Sequence, residues 1–179
     1  MKKVLLILCL LISGPTLADE VQVTIDDFKQ APQVKPFFKN SYGYAVFPTV
    51  GKGGLGIGGS YGEGVVFKGN QRMGDTSLVQ LSFGFQAGGQ AFSEIVFFQD
   101  KRAYDKFTSG NFELAAQVSA VVITLGAQAK ASTSGTSAGT DHKHQHGTYV
   151  EGMAIFTYAK GGLMYEAAIG GQKFNFTPY

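Results

Sequence analysis

From Tyr42 onward, short runs of β-branched and aromatic residues are separated by glycines. This composition is typical of strands joined by turns. The 179 residues include 25 Gly, 15 Phe and 8 Tyr, so aromatic side chains must supply much of the core. The expected fold is mainly β, of the α+β class: a single glycine-rich antiparallel β-sandwich or barrel-like domain with one or two short helices.

The clearest strand signal is a strict alternation of apolar and small or polar residues over positions 79–87. Period two predicts a strand with one buried face, and here the apolar face is expected to be the buried one. The apolar positions are Val79, Leu81, Phe83, Phe85 and Ala87. Further short strands are predicted at 42–47, 55–61, 64–68, 93–98, 113–125, 149–158, 163–169 and 173–176.

Two short helices are expected around these strands. One spans 24–30, with Thr24 as its N-cap and Asp27 three residues later, and it ends before Pro32 and Pro36. The other spans 100–108, where charges surround Tyr104 and Phe107 and Gly110 follows.

The first eighteen residues have the pattern of a secretory signal peptide. Lys2 and Lys3 precede an apolar stretch at 4–12, which is too short to cross a bilayer as a helix, and 16–18 form a small-residue cleavage site. Export to the periplasm is therefore expected. The single cysteine, Cys9, lies inside the apolar stretch and lacks the small residue expected before a lipid-modified cysteine, so the mature chain is predicted to have no disulfide and no lipid anchor.

The predicted organisation is a cleaved signal peptide at 1–18, an N-terminal arm with a short helix at 19–40, and a β-rich domain at 41–179. A tract rich in Ser, Gly and His at 130–147 is expected to form a mobile loop. Loss of Lys2 and Lys3 leaves 13 basic against 13 acidic residues, so the mature net charge is zero. This balance argues against a nucleic-acid partner, which would favour a basic excess.

Residues 51–56 satisfy the G-x-G-x-x-G pattern of dinucleotide-binding proteins. The glycines that follow Gly56 would not tolerate the helix which that fold requires, so no nucleotide is expected. Two interpretations remain for the glycine-rich strand: a tight contact between strands, or a bare face against which a ring or an acyl chain lies.

The sequence offers little for catalysis, and neither an enzyme nor a cofactor is predicted. No cysteine nucleophile remains after cleavage, and no serine lies in a G-x-S-x-G elbow. The carboxylates of predicted strands are expected to face solvent, although two could meet as an acid and base pair: Glu63, Glu94, Glu113, Glu151 and Glu166.

Three histidines lie at alternate positions in the predicted loop: His142, His144 and His146. Such a tract can bind a divalent transition metal, although a flexible loop lacks the groups that orient a selective site. Solvated loop residues are the alternative interpretation.

The segment 42–66 resembles the SYLF domain family. The resemblance rests on the ordered series Phe47-Pro48, Gly51-Lys52-Gly53, Gly58-Gly59 and 61–64, and it continues through 81–90, 94–98 and 160–166. It implies a β-rich domain with short helices that binds membrane lipid, and in eukaryotic members phosphoinositides and sometimes actin. For an exported chain, the implied lipid is an envelope phospholipid or lipopolysaccharide.

Candidate lipid-binding residues lie in two places. Lys52, between Gly51 and Gly53, is expected at a glycine-rich turn whose N–H groups can face a phosphate. Lys35 and Lys39 flank Phe37 and Phe38 in a basic-aromatic cluster that suits a membrane interface. The alternative for this cluster is an aromatic hook that packs the arm onto the sheet.

The leading hypothesis is thus a non-catalytic lipid-binding module, peripheral to an envelope membrane. Two alternatives come from other classes of protein. One is a small outer-membrane β-barrel or envelope structural protein, and the other is a metal buffer that uses the histidine tract.

Overall fold

The computed structural model describes residues 16–110, 112–114, 123–125 and 149–179, with only the backbone at 84–86, 123–124 and 162–170. The predicted signal sequence up to residue 15 and the histidine tract lie outside these residues. The described elements are helices α1 (Leu17–Gln30), α2 (Lys35–Asn40) and α3 (Lys101–Phe107), and strands β1 (Gly43–Lys68), β2 (Gln71–Phe98), β3 (Phe112–Leu114), β4 (Ile123–Leu125) and β5 (Met153–Pro178).

The first helix begins earlier than predicted. Thr16 caps α1 and forms a capping box with Asp19, so the prediction of Thr24 as the cap was wrong. Thr24 is instead buried in the middle of the helix. The predicted cleavage site at 16–18 therefore coincides with the cap and first turn of α1, and cleavage there stays a prediction.

The prolines separate two helices in the N-terminal arm. Helix α1 ends just before Pro32, and α2, which was not predicted, carries Pro36 in its first turn, where a missing N–H costs nothing. Helix α3 occupies the predicted position and is capped by Asp100. No helix in the described part of the chain has both the length and the apolar character needed to cross a membrane.

The predicted mainly β, α+β class is confirmed, but the strands are much longer than expected. Strands β1, β2 and β5 have 26, 28 and 26 residues and absorb several of the predicted short strands. The glycines between those predicted strands lie within the sheet, and Gly56 occupies a β-bulge with a φ of 74°. The described sheet has the order β1-β2-β5-β3, all antiparallel, with β4 parallel to β5.

The sheet curls so that the two halves of each long strand line one hydrophobic interior. The near halves contribute Phe47, Phe98 and Ile155, and the far halves contribute Leu78 and Phe174. Residues of α3 and β3 complete this interior: Ala103, Phe107, Phe112 and Leu114. Here and below, "near" means residues 43–54, 88–98 and 153–161, and "far" means 57–68, 71–83 and 171–178.

Helices α1 and α2 cover part of the outer face of the sheet. Phe28 and Phe37 pack there against strand residues such as Val46, Phe97 and Phe156. The alternation along each near half explains both cores, because Phe47 and Phe98 point inward while Val46 and Phe97 point outward.

Candidate functional site

A strip of large apolar side chains is exposed to solvent along the far half of the β1–β2 hairpin and at Leu55, just before that half begins. Its members are between 37% and 83% exposed: Leu55, Ile57, Tyr61, Val79, Leu81 and Phe83. Ile57 pairs with Phe83, Gly59 with Leu81, and Tyr61 with Val79. Directly paired residues share one face, so these side chains form a continuous band, which we call the apolar ladder.

The ladder reverses the prediction made for 79–87. That stretch is a strand as predicted, but the expectation that Val79, Leu81 and Phe83 face the core was wrong. The small and polar face points inward instead, with Ser82 buried and Gln80 half-buried.

Glycine explains why this face is turned inward. A Cβ atom added at Gly62 would lie 2.7 Å from Cγ2 of Val50, and one at Gly64 would overlap the carbonyl oxygen of Val46. The two halves of β1 therefore approach so closely that only a hydrogen fits on the inner face. At Gly62 and Gly64, bulky residues of β1 therefore have room only on the outside, although Leu78 of β2 and Phe174 of β5 reach the interior.

A small group of polar residues inside the curl is centred on Glu94. Its carboxyl group is fully buried, so the expectation of a solvent-facing carboxylate was wrong for Glu94, whereas Glu63, Glu113 and Glu151 are exposed as expected. Gln172 donates from Nε2 to Oε2 of Glu94 at 3.1 Å, and Ser60 donates to Oε1 of Gln80 at 3.4 Å. Burial raises the pKa of the Glu94 carboxyl to about 7, opposed by the hydrogen bond from Gln172 and by the charge of Lys52.

The structure places Lys52, Gly51 and Gly53 within β1 rather than at a turn. They pair in register with Gln90, Ala91 and Gly89 of β2, which corrects the expected turn geometry. Lys52 is half-buried, and its charge acts on Glu94 in the interior. Contact of these three residues with lipid stays a prediction.

The predicted basic-aromatic cluster is divided by the fold. Phe37 is buried, with its ring centroid 5.0 Å from that of Phe156 and 5.5 Å from that of Phe97, whereas Phe38 is half-buried 4.9 Å from Phe97. This is the packing that the aromatic-hook interpretation predicts. Lys35 and Lys39 are exposed on α2.

Strand β1 continues without a helix after Gly56, so the chain departs from the dinucleotide-binding motif as predicted. His142, His144 and His146 lie outside the described residues, and their metal binding is untested. Within the described ranges, no three His, Cys, Asp or Glu side chains are grouped so that they could hold a metal ion.

A basic-aromatic region lies where the far half of β1 ends, at Lys68. Lys68 lies 5.0 Å from the ring centroid of Tyr42, and Arg72 lies 5.8 Å from that of Phe67. A shallow cavity of about 110 Å³ lies nearby, between Lys29 and the Gly69-Asn70 turn. Six residues separate Phe67 from Tyr61, the nearest ladder residue on β1, or roughly 20 Å along the strand, so these cations lie beyond the ladder.

Sequence reasoning missed the ladder as a surface, and it also missed Lys173. This lysine is exposed and pairs in register with Val79 on one side and Glu113 on the other. It therefore places a positive charge beside the apolar band, with the exposed carboxylate of Glu113 directly across from it. The run of glycines on the facing strand was the signal that could have identified the exposed face.

The region that matches a known protein family begins in the far half of β2. A family model described as "Ysc84: Las17-binding protein actin regulator" matches residues 79–176, more than half of the chain. The chain belongs to the Ysc84 (SYLF) family. The resemblance noted in the sequence is thereby confirmed, and the family match includes Val79, Leu81 and Phe83 of the ladder as well as Glu94 and Gln172.

A curated protein is also similar to most of this chain. The chain is 28% identical over 162 residues to "Beta cell expansion factor A" of Aeromonas veronii. The match covers 89% of this chain and 54% of the relative, so the chain spans about half the length of that protein. No solved structure matches the chain.

Proposed function

We propose that this protein is an exported, non-catalytic domain that attaches to the periplasmic surface of an envelope membrane by inserting the apolar ladder among lipid acyl chains. The lipid would be a phospholipid or lipopolysaccharide. The observation that carries the proposal is the exposure of six large apolar side chains in one continuous band. Bands of this kind on a folded surface mark sites of interaction with membranes or other proteins, and membership of the Ysc84 (SYLF) family supports the lipid.

The dimensions of the ladder suit shallow insertion. From the Ile57–Phe83 pair to the Tyr61–Val79 pair the band extends four residues, or roughly 13 Å along the strands. Apolar faces of peripheral proteins enter the boundary of headgroups and acyl chains to a depth of about 5–10 Å. One or two of the residue pairs that form the ladder could therefore be immersed while the edges of the sheet stay in the headgroup region.

Electrostatic attraction has a smaller part in this proposal. Lys173 lies beside the ladder, and Lys35 and Lys39 are exposed elsewhere. Each lysine near an anionic surface contributes about 1 kcal/mol and is screened by salt. Attachment should therefore weaken only partly when the salt concentration rises.

Vesicle flotation of the mature protein tests the proposal. We expect retention on vesicles of phosphatidylethanolamine and phosphatidylglycerol at low salt, with a substantial fraction still bound at high salt. Protein that stays at the bottom of the gradient with these vesicles, and with vesicles containing lipopolysaccharide, would contradict it. Cell fractionation tests the location separately: the expected result is a cleaved chain in the periplasmic or membrane-washed fraction.

A further inference from the structure

Glu94 links two parts of the sheet that are far apart in the hydrogen-bond register. It lies in the near half of β2, paired with Phe47 of β1 and Thr157 of β5. Its hydrogen-bond partner Gln172 lies in the far half of β5, where it pairs with Gln80. The contact of 3.1 Å therefore crosses the interior and joins the two halves of the curled sheet.

The two side chains form an incomplete pair when Glu94 is ionised. Oε2 of Glu94 accepts from Gln172, but Oε1 of Glu94 and Oε1 of Gln172 are both buried without a hydrogen-bond partner among the described residues. Both are acceptors, and a buried acceptor without a donor destabilises the fold. Protonation turns the carboxyl group of Glu94 into a hydrogen-bond donor. The amide oxygen of Gln172, the residue that already donates to Glu94, is then an acceptor for that proton.

The surroundings also favour the neutral acid. Among the described residues, the charged side chain that acts on Glu94 is Lys52 of β1. Strand β5 presents the neutral groups of Gln172 and Thr157. The interior that Glu94 shares also contains apolar side chains of α3 and β3: Ala103, Phe107, Phe112 and Leu114. Burial is the largest influence and raises the pKa of the Glu94 carboxyl from 4.5 to about 7.

We propose that the Glu94–Gln172 pair is a proton-operated clasp, in which the protonated acid holds the two halves of the curled sheet together and loss of the proton loosens the far half. A raised pKa in the folded state means that this stabilisation is complete below pH 4.5 and declines as the pH rises to about 7. Gln172 pairs with Gln80, between Val79 and Leu81. The clasp would therefore control the mobility of the strands that carry the ladder, a consequence that rests on the proposed function.

Hydrogen exchange without lipid tests the clasp directly. With exchange rates corrected for the intrinsic effect of pH, we expect opening of the far half to increase roughly tenfold between pH 6 and pH 8. The reason is that the pKa of Glu94 is about 7 in the closed state and 4.5 in the open state, and ionisation over this pH range shifts the equilibrium toward the open state by about that factor. The Glu94→Gln variant should show no such increase, because its amide keeps the shape of the side chain and does not titrate. Glu63→Gln, which alters an exposed carboxylate of β1, serves as the matched control and should behave like the wild type.

A second variant keeps the test decisive if Glu94→Gln does not fold. Lys52→Met removes the positive charge that favours ionisation, so its pH transition should move to higher pH. Superimposable pH profiles for the wild type and either variant would overturn the clasp. Vesicle binding measured beside these profiles separates the two proposals, since a clasp that responds to pH in a protein that ignores vesicles would refute only the proposed function.

Discussion

Replacing Leu81 and Phe83 together by serine should detach the protein from vesicles and leave its fold intact. Leu81 is 59% exposed and Phe83 is 61% exposed. Complete burial of such a side chain stabilises by about 1.5–3 kcal/mol, so transfer of the exposed parts into lipid is worth about 2–4 kcal/mol for the pair. At about 1.4 kcal/mol per factor of ten, the vesicle partition coefficient should fall roughly 30-fold to 700-fold.

The assay is a titration with phosphatidylglycerol-containing vesicles, followed by sedimentation of the bound protein. Val23→Ser is the matched control, because Val23 is 62% exposed but belongs to helix α1 and not to the ladder. Surface substitutions of this kind change the free energy of unfolding by about 0.5 kcal/mol or less, which urea denaturation can verify. Equal partition of the double variant, the control and the wild type would refute the reasoning.

Three further predictions concern the fold, each measured by urea denaturation. The shift of the Glu94 pKa from 4.5 to about 7 corresponds to about 3 kcal/mol, so the free energy of unfolding should fall by about that amount as the pH rises across this range, and Glu94→Gln should remove the slope; a flat wild-type profile would contradict this. Phe37→Ala should lower the free energy of unfolding by about 3–5 kcal/mol because it empties an aromatic core site, and a loss below 1 kcal/mol would show that α2 is not anchored there. Gly64→Ala should lower it by about 1–3 kcal/mol because the added methyl group meets Val46 and Phe47, and an unchanged midpoint would argue against the tight curl of β1.

The alternation at 79–87 identified a strand correctly but did not reveal which side is buried. An apolar face normally turns toward the core. That preference failed here because of the way the two halves of β1, the strand paired with β2, approach each other. Gly62 and Gly64 leave no space for side chains between the two halves of β1. Which face is buried therefore depended on a contact between segments that are distant in the sequence, and period two alone carries no such information.

The lengths of the strands were predicted incorrectly for a related reason. Glycines normally separate strands, but Gly56 accommodates a bulge through its positive φ, and β1 continues past it. The family resemblance, the β-rich class, the helix at Asp100 and the departure from the dinucleotide motif could all be predicted, because each depends on local composition. The burial of Glu94 could not, because acidic residues are rarely buried and its partner lies 78 positions away.

The central claim is that the apolar ladder enters lipid, and a single fluorescent label tests it most directly. The sequence has one cysteine, Cys9, in the predicted signal peptide, so Phe83→Cys and Val23→Cys each give a mature chain with one labelling site. On adding vesicles, a polarity-sensitive dye at position 83 should shift to shorter wavelength and become shielded from an aqueous quencher, while the dye at position 23 stays exposed. Vesicle-bound protein in which both dyes remain equally accessible to the quencher would contradict the account.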